Sequence, residues 1–282
     1  MHYRIISLAA LGLIGTTLSA ATLSSAARAQ DDAPFITLAS TTSTEQSGLF
    51  GSILPKFKEG SGIDVHVVAV GTGQAFEIAR RGDADSLLVH DTTGEERFVA
   101  EGYGSERQNV MYNDFVILGP DNDPAGVRGA KNIEEALTRI AESEAPFASR
   151  GDDSGTNRAE LRLWNVADIQ PSGEWYRELG SGMGPTLNTA AGMDAYVMSD
   201  RATWVAFKNP QNLAIVFEGD DALFNQYGSI LTNEERFPDL KHDLAEQWHD
   251  WLLSDDGQQA IGDYRVDGQQ LFFPNAGPSK AK

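Results

Sequence analysis

The chain has 282 residues, 41 of them acidic against 22 basic, and it contains no cysteine. A net charge of −19 argues against nucleic acid as a partner, because phosphate backbones are held by clustered Lys and Arg. Without cysteine, disulfides and thiolate metal sites are excluded.

The first element reads as an export signal. A short basic start ending at Arg4 is followed by the apolar run Ile5–Gly15 and by the small-residue site Ala27-Arg28-Ala29. The apolar part is shorter than the roughly 20 residues a spanning helix requires, so cleavage after Ala29 is expected rather than retention as an anchor. No cysteine is present to carry a lipid, and an exported, periplasmic form without a lipid anchor follows. Removing residues 1–29 takes away Arg4 and Arg28 and no acid, which moves the charge from −19 to −21.

From Phe35 onward strand-like and helix-like segments alternate. Phe35–Ala39 reads as a strand, and the helix after it places Leu49, Phe50, Ile53, Leu54 and Phe57 on one face before Gly60-Ser61-Gly62 ends it. Val65–Val70 is a second strand, a helix carries Phe76, Ile78 and Ala79 as far as Gly82, and Leu87–Val89 is a third strand. This βαβ order predicts a parallel sheet covered on both faces. A long extended run, Val110–Leu118, closes at Gly119-Pro120. There follow a helix with Ile133, Ala136, Leu137 and Ile140, a strand entering Ser149, a helix with Leu161 and Trp164, and a strand Leu213–Phe217. A further extended run, Tyr227–Leu231, leads to a C-terminal helix around Leu244, Trp248, Trp251, Leu252 and Ile261.

Two long crossings near Tyr112–Gly119 and Phe224–Thr232 predict an α/β fold of two lobes with a ligand cleft between them. Residues 30–117 and 226–274 would form lobe I, residues 118–225 an inserted lobe II, and 275–282 a flexible tail. The alternative is a single doubly wound domain, but a core near 250 residues lies at the upper end for one domain.

Three junctions carry the chemistry. At Ser40-Thr41-Thr42-Ser43-Thr44, at Gly71-Thr72-Gly73 and at Ser149–Thr156, an apolar run stops at small hydroxyl residues or glycine and a helix begins. Helix-initial N–H groups lack intrahelical acceptors and carry partial positive charge, so such ends suit a small anion. An ordinary cap uses one hydroxyl, whereas the first cluster has five in succession. Arg150 offers a planar fork of donors at the third junction, where Ser154, Gly155 and Thr156 open the next helix. One of Asp152 and Asp153 would orient Arg150 while the other caps that helix.

Rival readings are weaker. A hydrolase using Ser154 or Ser43 needs a base, and His66, His90, His242 and His249 show no catalytic signature around them. His90 stands at a strand end beside Asp91, where packing is the common role. No Walker loop, EF-hand or His-rich metal motif occurs, so neither a cofactor nor a resident metal is expected.

On these residues the chain resembles the tungstate-binding component of bacterial ABC transporters, the TupA type, within the type II periplasmic solute-binding proteins. The matching stretches are Thr41-Thr42-Ser43-Thr44 with Ser47-Gly48-Leu49, Val70–Ala75, Gly82–Asp85 running to His90, Met111–Val116 with Gly119-Pro120, Ser149–Thr156, Gly182–Asn188 and Asp200–Thr203. The resemblance implies two α/β lobes closing over a bare tetrahedral oxyanion, tungstate with molybdate next, which passes to a membrane permease driven by a separate ATPase. A monomer is expected. A sensor that docks on a membrane receptor is the remaining alternative. The family's first cluster typically reads Thr-Thr-Thr-Ser, against Ser40-Thr41-Thr42-Ser43 here, and its usual His after Ser-Gly-Thr is Asn157. Such a dianion offers four acceptor oxygens and no donor, so a selective site should present donors only.

Overall fold

A computed structural model describes residues 33–278, and the expected signal segment 1–29 lies outside the described residues. The chain runs β1 (Phe35–Thr41), α1 (Thr42–Gln46), α2 (Leu49–Ser61), β2 (Asp64–Val70), α3 (Thr72–Arg80), β3 (Ser86–Val89), α4 (Thr92–Ala100) and β4 (Gly104–Pro120). It continues through α5 (Ile133–Glu142), β5 (Phe147–Ser149), α6 (Gly155–Val166), β6 (Tyr176–Glu178), α7 (Met183–Met193), β7 (Val197–Asp200), α8 (Arg201–Ala206) and β8 (Leu213–Phe217). β9 (Phe224–Thr232), α9 (His242–Leu253), α10 (Asp255–Gly262), β10 (Arg265–Val266), β11 (Gln269–Gln270) and β12 (Phe273–Pro278) complete it. Among the described residues no helix is long and apolar enough to cross a membrane.

The sheet is mixed, in the order β12-β4-β9-β3-β1-β2. Only β2, β1 and β3 are parallel, with Leu38 opposite Val67 and Ser86. The parallel order expected of the βαβ series thus holds for its three strands, while β9 and β4 return through the crossings and pair antiparallel. The expected loose tail from Asn275 is replaced, as far as Pro278, by β12, which pairs with β4. Asn275 Nδ2 donates to Gln226 Oε1 at 2.8 Å and fastens that strand to β9.

β4 spans both halves of the molecule. Its first part, from Gly104 to Asp114, pairs with β9, while Phe115–Pro120 pairs with β7 and β8. Side chains alternate along it, so each half of the molecule has a core on either face of its sheet. Ile36, Leu38, Leu49, Ile53, Trp248 and Leu252 fill one side of the first half, and Ala39, Phe76, Leu87, Phe98 and Ile230 the other. In the second half, Phe115, Ile117, Phe147 and Trp164 lie opposite Val116, Leu118, Leu187 and Val197. Each fully buried Leu or Ile contributes about 1.5–3 kcal/mol by leaving water. Within the inserted stretch α8 is the exception, since Ala202 and Val205 pack on the first core.

Candidate anion-binding site

Three strand-to-helix junctions meet between the two halves: β1 into α1, β2 into α3, and β5 into α6 through residues 150–154. Arg150 stands at their centre and is 1 % exposed. Its Nη1 donates to Ser43 Oγ at 2.9 Å, and its Nη2 donates to Thr42 Oγ1 at 3.1 Å and to Asp152 Oδ2 at 2.6 Å. Its buried Nε has no acceptor among the described residues. Because the two hydroxyls accept from the guanidinium, each keeps its own hydrogen to donate elsewhere.

The loop that presents Arg150 depends on glycine. Gly151 has φ +57°, and a Cβ there would lie 2.8 Å from Glu178 Cβ and 3.2 Å from Glu178 Cα. Leu179 N–H on the Ser149 carbonyl and Ser181 N–H on the Arg150 carbonyl fix the backbone around it. Asp152 performs two tasks, since Oδ2 orients Arg150 while Oδ1 accepts from Ser154 N–H at 3.2 Å. The expected division between the two aspartates is therefore corrected. Asp153 instead takes Arg158, with Nε on Oδ1 at 2.7 Å and Nη2 on Oδ2 at 2.8 Å, and Ser154 Oγ caps α6 by accepting from Asn157 N–H.

Asn157 braces the loop from below. Its Oδ1 accepts from Asp153 N–H at 3.2 Å and its Nδ2 donates to Ser149 Oγ, which in turn bonds Glu160 Oε2 at 2.8 Å. Burial pushes the Glu160 carboxyl up to about 7, against the pull of hydrogen bonds from Tyr176, Ser149 and Trp164.

The remaining residues expected at the site separate into two groups. Thr72 Oγ1 and Thr156 Oγ1, at the first turns of α3 and α6, are buried without a protein partner among the described residues. The first-turn N–H groups of Gly155 and Thr156 have no intrahelical acceptor. Gly155 permits the approach of the two helices, because a Cβ there would lie 2.8 Å from His90 Cε1 and 3.0 Å from Thr72 Oγ1. The others are engaged. Ser40 Oγ donates to the Leu88 carbonyl at 2.6 Å, Thr41 Oγ1 caps α1 by accepting from Thr44 N–H, and Gly73 N–H donates to the Asp153 carbonyl at 3.3 Å. Gly71 is the N-cap of α3.

Sequence reasoning missed a polar chain beneath the site. Asp200 accepts from Asn113 Nδ2 at 3.5 Å, Asn113 Oδ1 accepts from Asn225 Nδ2 at 2.7 Å, and Asn225 Oδ1 lies 3.1 Å from His90 Nδ1. An ionised carboxylate accepts only, so this order makes Nδ1 the protonated ring nitrogen and leaves Nε2 a lone pair. Burial pushes the His90 imidazole down to about 4, and its ring stacks on Tyr227 at 4.8 Å. Burial also raises the Asp200 carboxyl, whose side chain caps α8.

The junctions leave buried donors without protein partners at Arg150 Nε, Thr72 Oγ1 and Thr156 Oγ1, and they bring no nucleophile against a base among the described residues. A Ser–His hydrogen bond, Ser229 Oγ with His249 Nδ1 at 2.9 Å, joins β9 to α9. Neither Ser43 nor Ser154 bonds an imidazole among the described residues.

Comparison with known proteins identifies the family. The family model of the PBP superfamily domain matches residues 20–256. Tungstate-binding protein TupA of Peptoclostridium acidaminophilum is 46% identical over 245 residues, which make up 86% of this chain and 86% of that protein. The chain belongs to the PBP superfamily, in the TupA family. Two solved structures of tungstate-binding relatives share its two-lobe α/β fold. The tungstate ABC transporter structure from Geobacter sulfurreducens is 46% identical with a TM-score of 0.76, covering 82% of this chain and 98% of that one. The tungstate-binding protein TupA from Desulfovibrio alaskensis G20 is 42% identical with a TM-score of 0.74, covering 87% of this chain and all of that one.

Proposed function

We propose that this protein captures tungstate between its two lobes and delivers it to an ABC-type permease, with molybdate as its next ligand. The observation that carries the reading is the buried Arg150, clasped by the hydroxyls of Thr42 and Ser43 from the opposite lobe and keeping an uncommitted Nε–H. Around it, Thr72 and Thr156 hold buried hydroxyls at two helix starts, where the helix dipoles favour a dianion. A small oxyanion supplies the acceptors that these groups lack. Ser154 and Gly155 complete the loop over the ligand, while Ser40, Thr41, Gly71 and Gly73 shape its backbone. Membership of a family whose relatives bear the name tungstate-binding protein supports the choice of ligand.

In this reading the mature protein is an exported periplasmic monomer without a lipid anchor, and it performs no covalent chemistry. Calorimetry of the purified protein against tungstate, molybdate, sulfate and phosphate tests it. Tungstate should bind tightest and phosphate least, and binding of sulfate or phosphate alone overturns the choice of ligand.

A further inference from the structure

We propose that Asp91 is a positioning residue of the anion site, the seat into which α6 locks when the two lobes close. The inference rests on the reading that the ligand lies between the lobes.

α6 opens with Gly155 and Thr156 at the site, and its next turns place Arg158 and Arg162, four residues apart, on one face. Arg158 Nη1 donates to Asp91 Oδ2 at 2.9 Å, and Arg162 Nη1 donates to Asp91 Oδ1 at 3.0 Å. Both carboxylate oxygens are thus held by one helix of the other lobe. The two elements belong to different cores: Ala159, Leu163 and Trp164 of α6 pack in the second half, and Phe98 of α4 in the first.

Asp91 is committed to this contact. It stands at the N-cap of α4, where a carboxylate ordinarily accepts from its own helix, yet its side chain makes no such bond. Glu95 reaches back instead, accepting from Asp91 N–H at 2.7 Å and anchored by Arg107 of β4 at 2.6 Å. The Asp91 carboxylate is only 3 % exposed, a burial that an ion survives when it is paired. Arg158 also grips Asp153, whose carbonyl accepts from Gly73 N–H of α3. The ion pairs one turn along α6 therefore set how its first turn meets the first turn of α3.

Opening the cleft separates Asp91 from both guanidiniums, so the contact weights the closed state equally for every anion. Apparent affinity scales with the fraction of protein that is closed. Arg162 is the clean probe, because its side chain bonds only Asp91 among the described residues.

Stopped-flow tryptophan fluorescence of the parent, Arg162→Gln, Asp91→Asn and the double variant tests the proposal. Arg162→Gln should release tungstate about tenfold faster with an on-rate within about threefold of the parent, as affinity changes within one interface fall mostly on release. The ratio of tungstate to molybdate affinity should stay constant, and the double variant should release no faster than Asp91→Asn alone, since both remove one contact. Parental release rates in both single variants overturn the proposal. So does a melting temperature of the ligand-free protein that falls as far as that of the liganded one, since the pair would then belong to the resting fold. If the parent binds no tungstate, the proposed function fails, and the latch is read from the release of whichever of molybdate, sulfate or phosphate the parent binds.

Discussion

Arg150 Nη1 lies 2.9 Å from Ser43 Oγ, a bond between residues 107 positions apart that ties the second half of the molecule to the first turn of α1. Under the proposed function, one side chain therefore senses both whether the lobes are together and whether an anion is between them. Arg150→Ala should weaken tungstate binding by about two to four decades, the equivalent of about 3–5 kcal/mol for removing one partner of a buried pair. Arg150→Lys should recover only part, because an ammonium lacks the planar fork. Titration calorimetry checks both, and near-parental affinity in the alanine variant would reduce Arg150 to the partner of Asp152.

Thr72→Val and Thr156→Val should move stability and binding in opposite directions. Each removes a buried hydroxyl without a protein partner, so the ligand-free protein should be unchanged or more stable by about 1 kcal/mol. Tungstate affinity should fall by about 1.5–3 kcal/mol per hydroxyl that donates to the dianion. Denaturant unfolding of the ligand-free protein beside calorimetry separates the two effects. Parental affinity in both variants removes these hydroxyls from the site.

Gly155→Ala should hold the cleft apart. The new Cβ meets His90 and Thr72 within 3.0 Å, contacts that exist only when the two helix starts approach. Small-angle scattering should show the parent's radius of gyration falling with tungstate and the variant's staying constant, while the variant's ligand-free melting temperature matches the parent's. A variant that contracts like the parent contradicts this account of closure.

The pH dependence of stability should carry the mark of Glu160. Its carboxyl titrates near 7 in the folded protein against an ordinary 4.5, so between these values the folded state holds a proton that the unfolded chain has lost. Stability therefore falls as pH rises through that window, by on the order of 3 kcal/mol for this group. Glu160→Gln should remove that share. A residual slope of the same sign remains from Glu95, which burial also pushes up to about 7. His90 acts oppositely, its neutral form favoured by burial, so stability is lost as pH falls from 6.5 toward 4. Urea unfolding of parent and variant at pH 5 and pH 7.5 measures the difference, and parallel curves would refute it.

The parts of the site legible in the sequence are those that local chain grammar marks. A strand that breaks into hydroxyls and glycine before a helix is visible in one dimension, and so is a lone arginine at such a break. The polar partners were not visible, because His90 and Asn225 meet across 135 residues and neither carries a local pattern. α4 escaped notice for a related reason. Its buried residues are Gly94, Glu95 and Phe98, and one aromatic side chain makes no stripe. The apolar run that marks β4 in the sequence begins only at Val110, whereas the strand already pairs with β9 from Gly104, where the exposed Ser105 and Glu106 leave no apolar pattern to read. The reversal of sheet direction depends on how the crossings return, which periodicity within a segment does not encode.

β9 has a consequence for the order of assembly. It fills the place between β3 and β4, pairing Ser86 with Leu231 and Gly104 with Thr232, so the first sheet stays divided until the far end of the chain arrives. The second half closes on itself within one continuous stretch, its strands β7 and β8 pairing with Phe115–Pro120. Joining distant segments costs loop entropy and slows folding, whereas nearer pairings form first. The half whose strands are synthesised first is therefore the last to be completed.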